Sequence, residues 1–242
     1  MRLVATIITV MVIAVGFAIS SPLFFRQDPP EAKQKVMLCF DVLESGNPVD
    51  WCHNLSDILN EKNLAAIVFI LGKVAQENPQ CTTLFGDKVD IGSQTYSNVA
   101  LASIEDYSIK LQEVQDGKAA IDEAGNLTVR TFRAARGETD DDIYSLLNRC
   151  SILADFSYPD HYNIYENDQF VKYDATVYEG RNYSPDYFLN SAKSAQPIII
   201  NFDSNDATAN IEDFISKLQT GNFEFVNASE LAGLALTSRG AA

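Results

Sequence analysis

The sequence predicts an α/β fold: a parallel sheet whose strands are joined by crossover helices and covered on both faces. Three observations predict it. Short apolar runs alternate with segments of helical periodicity along the chain, the signature of parallel strands linked by helices. The runs 64–71 (LAAIVFIL) and 197–202 (PIIINF) are continuously apolar, as strands buried on both faces are. The 242 residues, 46% hydrophobic and without internal repeats, suffice for one domain with its own core. A barrel and an open doubly wound sheet both satisfy these observations.

The first strand is expected over 36–41 (VMLCFD). Leu55, Ile58 and Leu59 mark a helix over 54–62. The run 64–71 is too short for a typical helix and reads as a buried strand. A helix over 72–85 and a strand over 88–92 follow. Ser103 opens a long helix, with Asp106 completing a capping-box pattern. Ile104, Tyr107, Leu111, Val114, Lys118 and Ile121 trace its face at 3-4 spacing. A strand is expected over 127–133. Thr139 and Asp142 repeat the capping pattern before a helix ending at Arg149, and 152–156 is a strand. Residues 157–195 read as irregular and tyrosine-rich, with one strand near 169–178 and one helix near 185–193. The chain closes with a strand over 197–202, a helix through Ile211, Phe214, Ile215 and Leu218, a strand over 223–226 and a helix over 228–236.

Residues 3–19 are apolar apart from Thr6 and Thr9, and Arg2 precedes them. Such a run spans a bilayer as an anchor, or serves as a signal peptide cleaved at Ala18-Ile19-Ser20. Either role places the rest of the chain outside the cytoplasm, secreted or membrane-anchored. Residues 1–26 are therefore set apart as signal or anchor, 27–34 as a linker, 35–236 as a single domain and 237–242 as a tail. The sequons at Asn54, Asn126, Asn182 and Asn227 agree with export. In an exported chain the four cysteines allow three disulfide pairings. Cys52 with Cys81 is preferred, while Cys39 fits a plain buried thiol. The formal charge is −15 and the basic residues are scattered. Nucleic acid is thereby excluded as a partner, since it needs clustered Lys and Arg.

In α/β folds of either kind, ligands bind beyond the carboxyl ends of the strands. The residues there are 41–44 (DVLE), 92–98 (GSQTYSN), 133–137 (RAARG), Asp155 and 201–203 (NFD). In this order the segments resemble the polysaccharide deacetylase family, the NodB homology domain. Cys39-Phe40-Asp41-Val42 stands where that family has Thr-Phe-Asp-Asp. Residues 66–72 (AIVFILG) are similar to its Ala-Thr-Phe-Phe-Val-x-Gly. Asp90-Ile-Gly-Ser-Gln94-Thr-Tyr-Ser-Asn98 resembles Glu-Ile-Gly-x-His-Thr-x-x-His. Phe132-Arg133-Ala-Ala-Arg136-Gly137 resembles Phe-Arg-Pro-Pro-Tyr-Gly. Residues 198–203 (IIINFD) stand for the strand ending in Leu-x-His-Asp, and 223–231 for the closing segment. The resemblance covers nearly all of 35–232. It implies a distorted (β/α) barrel and the removal of acetyl groups from glycans with a bound divalent metal.

The departures from that pattern shape the functional expectation. Carried over residue by residue, the metal ligands fall at Val42, Gln94 and Asn98, where the family has Asp, His and His. Val42 has no donor atom, and amide oxygens are poor zinc ligands. Without a metal to lower the pKa of bound water from about 16 to about 7, no hydroxide forms near neutral pH. The family's catalytic His falls at Phe202, which cannot protonate a leaving amine. Two positions match: Asp41, in the general-base place, and Arg133, which pairs with that base in the family. The expectation is a catalytically degenerate domain without a cofactor, binding glycan or cell-envelope carbohydrate. Its old cleft would be lined by Trp51, Gln94, Asn98, Arg136, Phe202 and Asp203, with Asp41 and Arg133 as a structural pair. The alternative is an active carbohydrate N-deacetylase that holds zinc or another divalent metal through atypical ligands. A weaker one is an envelope scaffold that binds protein. The tyrosine-rich stretch (Tyr158 to Tyr187) also offers faces that suit sugar rings.

Overall fold

The computed structural model describes residues 32–191 and 196–240. Strand β1 (Gln34–Val42) leads into α1 (Pro48–Glu61), β2 (Ala66–Ile70), α2 (Gly72–Glu77), β3 (Val89–Ser93) and the long α3 (Tyr107–Gly125). Next come β4 (Leu127–Val129), β5 (Thr131–Phe132), α4 (Ile143–Arg149), β6 (Ala154–Asp155), β7 (His161–Glu166), β8 (Gln169–Asp174), β9 (Thr176–Glu179) and α5 (Pro185–Asn190). The last elements are β10 (Ile198–Asp203), α6 (Thr208–Leu218), β11 (Phe223–Phe225), α7 (Ala228–Ala232) and β12 (Thr237–Arg239). The expected signal or anchor at 1–26 lies outside the described residues. Among the described residues, no helix is long and apolar enough to cross a membrane.

The main sheet runs β8-β7-β6-β5-β3-β2-β1-β10-β9, with β11 added to the first residues of β1. From β9 to β6 every pairing is parallel. Beyond β9, Ala175 and Val177 donate to the Asp160 and Pro159 carbonyls, each at 3.1 Å, and draw the sheet into a nearly closed barrel. Alternation along β1 sorts its side chains into two cores. Val36, Leu38, Phe40 and Val42 join the outer shell under α1 and α6. Met37 and Cys39 point into the barrel, among Ile67, Phe69, Phe156 and Ile199.

Several boundaries differ from the sequence expectation, each for a local reason. Helix α1 starts at Pro48 rather than 54, because Asn47 caps Asp50 N–H at 3.3 Å and Pro48 supplies a preset φ at N1. The helix expected over 72–85 stops at Glu77, ahead of Pro79. Helix α3 begins at Tyr107 rather than Ser103, since Asp106 is itself the cap and accepts from Ser108 N–H at 2.8 Å. The stretch after 157 is less irregular than expected. It holds the antiparallel hairpin β7–β8, turned by Asn167 and Asp168 in the left-handed region. The expected tail is partly folded, because β12 pairs antiparallel with β4. The expected Cys52–Cys81 bridge is not formed: all four cysteines are free thiols. Cys81 Sγ donates instead to the Pro48 carbonyl at 3.5 Å.

Candidate functional site

Asp41 follows Met37 and Cys39 on the inward face of β1, at the carboxyl end of the barrel. Arg133, just past β5, reaches it from across the mouth. Its Nε donates to Asp41 Oδ2 at 3.2 Å and its Nη1 to the Phe156 carbonyl at 2.9 Å. Its Nη2 lies 3.9 Å from Glu179 Oε1. Asn201, inward on β10, donates from Nδ2 to Asp41 Oδ2 at 3.2 Å and to Glu179 Oε2 at 3.4 Å. Burial disfavours the Arg133 charge, but Asp41, Cys39 and Glu179 more than offset it and raise its pKa. Among the described residues, Asp41 Oδ1 and Asn201 Oδ1 are buried without a hydrogen-bond partner.

The ion pairs continue along the rim. Arg181, after β9, hydrogen-bonds Asp203 and lies 3.8 Å from both Glu179 and Asp206. Asp203 is thus at the mouth, held in an ion pair with Arg181. Arg136 is exposed and adopts φ 60, a left-handed backbone uncommon outside glycine. Together with Arg133, Ser157, Tyr158, Val177 and Glu179 it lines a cavity of about 260 Å³.

Two expected cleft residues lie elsewhere. Phe202 alternates onto the outer face of β10, stacked on Phe40 at 6.0 Å and edge-on to Phe214 at 5.2 Å. In the parallel pairing Cys39 faces Asn201 and Phe40 faces Phe202, so the inward residue beside Asp41 is Asn201. Trp51 is only 7% exposed. Its indole N–H donates to the Asp206 carbonyl at 2.9 Å, and its ring meets Phe40 edge-on. It braces the rim from below and has no free face for a sugar.

The residues at the expected metal positions do not fit a divalent metal. Val42 is fully buried in the outer apolar shell. Gln94 is 1% exposed, and its Oε1 has no partner among the described residues. Asn98 is half-buried at φ 61. One hydrocarbon and two neutral amides lack the charge and softness that zinc selects. Among the described residues, no three His, Cys, Asp or Glu side chains gather as ligands. The loop bearing Gln94 and Asn98 is clamped: Gly72 N–H donates to the Thr95 carbonyl at 3.3 Å and Tyr96 N–H to the Glu113 carbonyl at 2.9 Å.

Asp155 sits beneath the Arg133 turn. Its Oδ1 accepts from Ser157 N–H at 3.1 Å and from the Ser157 hydroxyl, and Ser157 Oγ accepts from Ala134 N–H at 2.9 Å. Burial pushes the Asp155 carboxyl up to about 6, opposed by the Ser157 hydrogen bonds and Arg133. Sequence reasoning missed the roles of Asn201, Glu179, Arg181 and Ser157. Strand alternation along 198–203 carried the signal for Asn201. Arg181 and Ser157 lie in a short turn and a loop, where no periodicity exists to read, and Glu179 ends the four-residue strand β9, too short to show one.

The family model described as polysaccharide deacetylase matches residues 28–154. None of the curated proteins matches. Among solved structures, peptidoglycan deacetylase PdaC from Bacillus subtilis is similar at 17% identity and a TM-score of 0.58, over 82% of this chain and 90% of that one. A family 4 carbohydrate esterase from Streptomyces lividans, in complex with acetate, is 21% identical with a TM-score of 0.58, over 78% of this chain and 88% of that one. A CE4 family pseudoenzyme from Bacillus anthracis is 17% identical with a TM-score of 0.58, over 83% of this chain and 66% of that one. At these identities the likeness is one of fold, the (β/α) barrel of these neighbours. The family match spans more than half of the sequence, and the chain belongs to the polysaccharide deacetylase family.

Proposed function

We propose that this chain is a catalytically degenerate polysaccharide deacetylase that binds glycan of the cell envelope outside the cytoplasm. One observation carries the reading: the groups around Asp41 hold it and offer nothing to turn over a substrate. Arg133 and Asn201 occupy Asp41 Oδ2, and neither is a general acid near neutral pH. The places carried over from the family's metal ligands offer no charged donor. The open ground at the mouth, the cavity at Arg136 and Glu179, suits hydrogen bonding to sugar hydroxyls. The apolar run at 3–19 supports delivery to the envelope, as a signal or an anchor.

The test uses the full chain, purified free of metal in detergent. Zinc, cobalt and nickel are titrated by calorimetry, and acetate release is followed on N-acetylated glycan. The expected result is no binding up to millimolar metal, no acetate, and measurable affinity for the glycan itself. The surviving Asp41–Arg133 pair favours a second reading, an active deacetylase with atypical ligands. One-to-one metal binding at micromolar or tighter, abolished by Asp41→Ala and accompanied by acetate release, would establish that reading instead.

A further inference from the structure

The structure divides the tyrosine-rich stretch into packing residues and free ones. Tyr162 is buried and stacked between Phe156 and Tyr173, and the Tyr173 hydroxyl donates to Glu166 at 2.7 Å. Tyr158 stacks on His161. Tyr183 and Tyr187 differ. They are 38% and 45% exposed, and with Ile109 they are the large apolar side chains left exposed among the described residues. Their ring centroids lie 4.9 Å apart. Both meet Tyr178 edge-on, at 5.0 and 5.7 Å, and the buried Phe188 beneath them packs on Phe214 at 5.9 Å. Aromatic support holds the pair in place, so binding there immobilises little that is free.

A cavity of about 240 Å³ adjoins this platform, lined by Tyr183, Arg181, Phe202, Asp206, Asn210 and Phe214. Its floor is aromatic and its rim carries a guanidinium, a carboxylate and an amide. Asp206 Oδ2 accepts from Asp203 N–H at 3.0 Å, which leaves lone pairs unused. The exposed Asn210 side chain makes no hydrogen bond among the described residues. An aromatic face beside a carboxylate and an amide matches a pyranose ring, with C–H groups on one face and hydroxyls at the edge. A purely apolar partner would leave these polar groups desolvated and unpaired.

We propose that Tyr183, Tyr187 and the adjoining cavity form a second carbohydrate subsite, outside the barrel mouth, that takes one sugar ring of a glycan chain. The Glu179–Arg181 pair joins the two places, since Glu179 lines the mouth cavity and Arg181 lines this one. A chain of several sugars reaches both, and a short one occupies the mouth alone. The inference rests on the glycan-binding reading.

The experiment is calorimetry of the full chain in detergent with a β-1,4-linked N-acetylglucosamine dimer and hexamer. The variants are Tyr183→Ala/Tyr187→Ala and, in case that pair perturbs folding, the exposed Asn210→Ala. Expected is a loss of hexamer affinity of roughly tenfold in the tyrosine variant and roughly threefold in Asn210→Ala, with dimer affinity unchanged. Unchanged hexamer affinity in both variants overturns the subsite and leaves the glycan reading intact. Failure of the unmodified chain to bind either sugar overturns both. A dimeric protein that becomes monomeric on Tyr183→Ala/Tyr187→Ala, with hexamer affinity intact, assigns the patch to contact between copies and also overturns the subsite.

Discussion

Replacing Arg133 by Met and Asp41 by Asn, singly and together, separates a structural ion pair from a working base. The Arg133 side chain is 8% exposed and that of Asp41 13%, and they meet at 3.2 Å. Removing one partner of a buried pair leaves an uncompensated charge and costs about 3–5 kcal/mol. Arg133→Met falls in that range, because it also removes the hydrogen bond to the Phe156 carbonyl, worth about 1 kcal/mol. Asp41→Asn costs less, about 2–3 kcal/mol, because Arg133 keeps Phe156 and the more distant Glu179. The double variant removes both charges together, so its cost falls short of the sum by about 1.5–3 kcal/mol. Urea unfolding followed by circular dichroism measures all four corners of the cycle. Additivity within about 0.5 kcal/mol would refute the structural pairing. So would single variants that unfold like the parent protein while a measured acetate release disappears.

Two further outcomes follow from the same neighbourhood. Asp155 holds its proton in the folded state up to about 6 but in the unfolded chain only to its ordinary 3.8. The folded state therefore binds more protons between these values, so stability falls as pH rises through that window and stays lower above it, by about 3 kcal/mol. Asp155→Asn removes the slope: its melting temperature matches the parent near pH 4 and exceeds it at pH 7.5, and equal values at pH 7.5 would count against the buried charge. Gly117→Ala places a Cβ 2.6 Å from the Gln94 carbonyl oxygen and 3.0 Å from Tyr96 N. Backbone must yield there, so about 2 kcal/mol of stability is lost, together with glycan affinity if the Gln94 loop borders the site. A fully stable variant would show that α3 and this loop are not in firm contact.

The central strands of the barrel were legible because their apolar character is unbroken. Residues 64–71 and 197–202 could be little else. The hairpin β7–β8 was not legible as two strands because HYNIYE and QFVKYD mix polar and aromatic side chains on a half-exposed edge. Only the Asn167-Asp168 turn marked it. The Asp41–Arg133 contact was legible through the resemblance, since both residues match the family pattern. Aligning Phe202 with the late-strand His was a different kind of step: it matched letters without asking which face each occupies. A one-residue shift in a strand moves every side chain to the opposite face. Ile199, Asn201 and Asp203 share one face of β10, and Asn201 is the residue that meets Asp41. Trp51 misled for a related reason. Position along the chain put it after the Asp41 loop, whereas α1 begins at Pro48 and turns the indole inward, onto Phe40 and the Asp206 carbonyl.

The same facing argument predicts what rebuilding the metal site would do. Restoring the family's residues by alignment means Val42→Asp, Gln94→His and Asn98→His. Val42 shares the outward face of β1 with Phe40 and is packed in the shell beneath α1. An aspartate there meets hydrocarbon rather than a metal, and an unpaired buried carboxylate is strongly penalised. Val42→Asp alone therefore lowers stability by about 3 kcal/mol or more, largely recovered at a pH low enough to protonate it. The two histidines alone supply fewer ligands than the three a catalytic zinc needs, so Gln94→His/Asn98→His binds zinc weakly and releases no acetate. Calorimetric zinc titration and urea unfolding of the triple variant decide the matter. A stable triple variant that binds zinc at micromolar concentration and deacetylates glycan would mean that the end of β1 can turn Val42 toward the mouth. The chain would then stand only three substitutions from an enzyme.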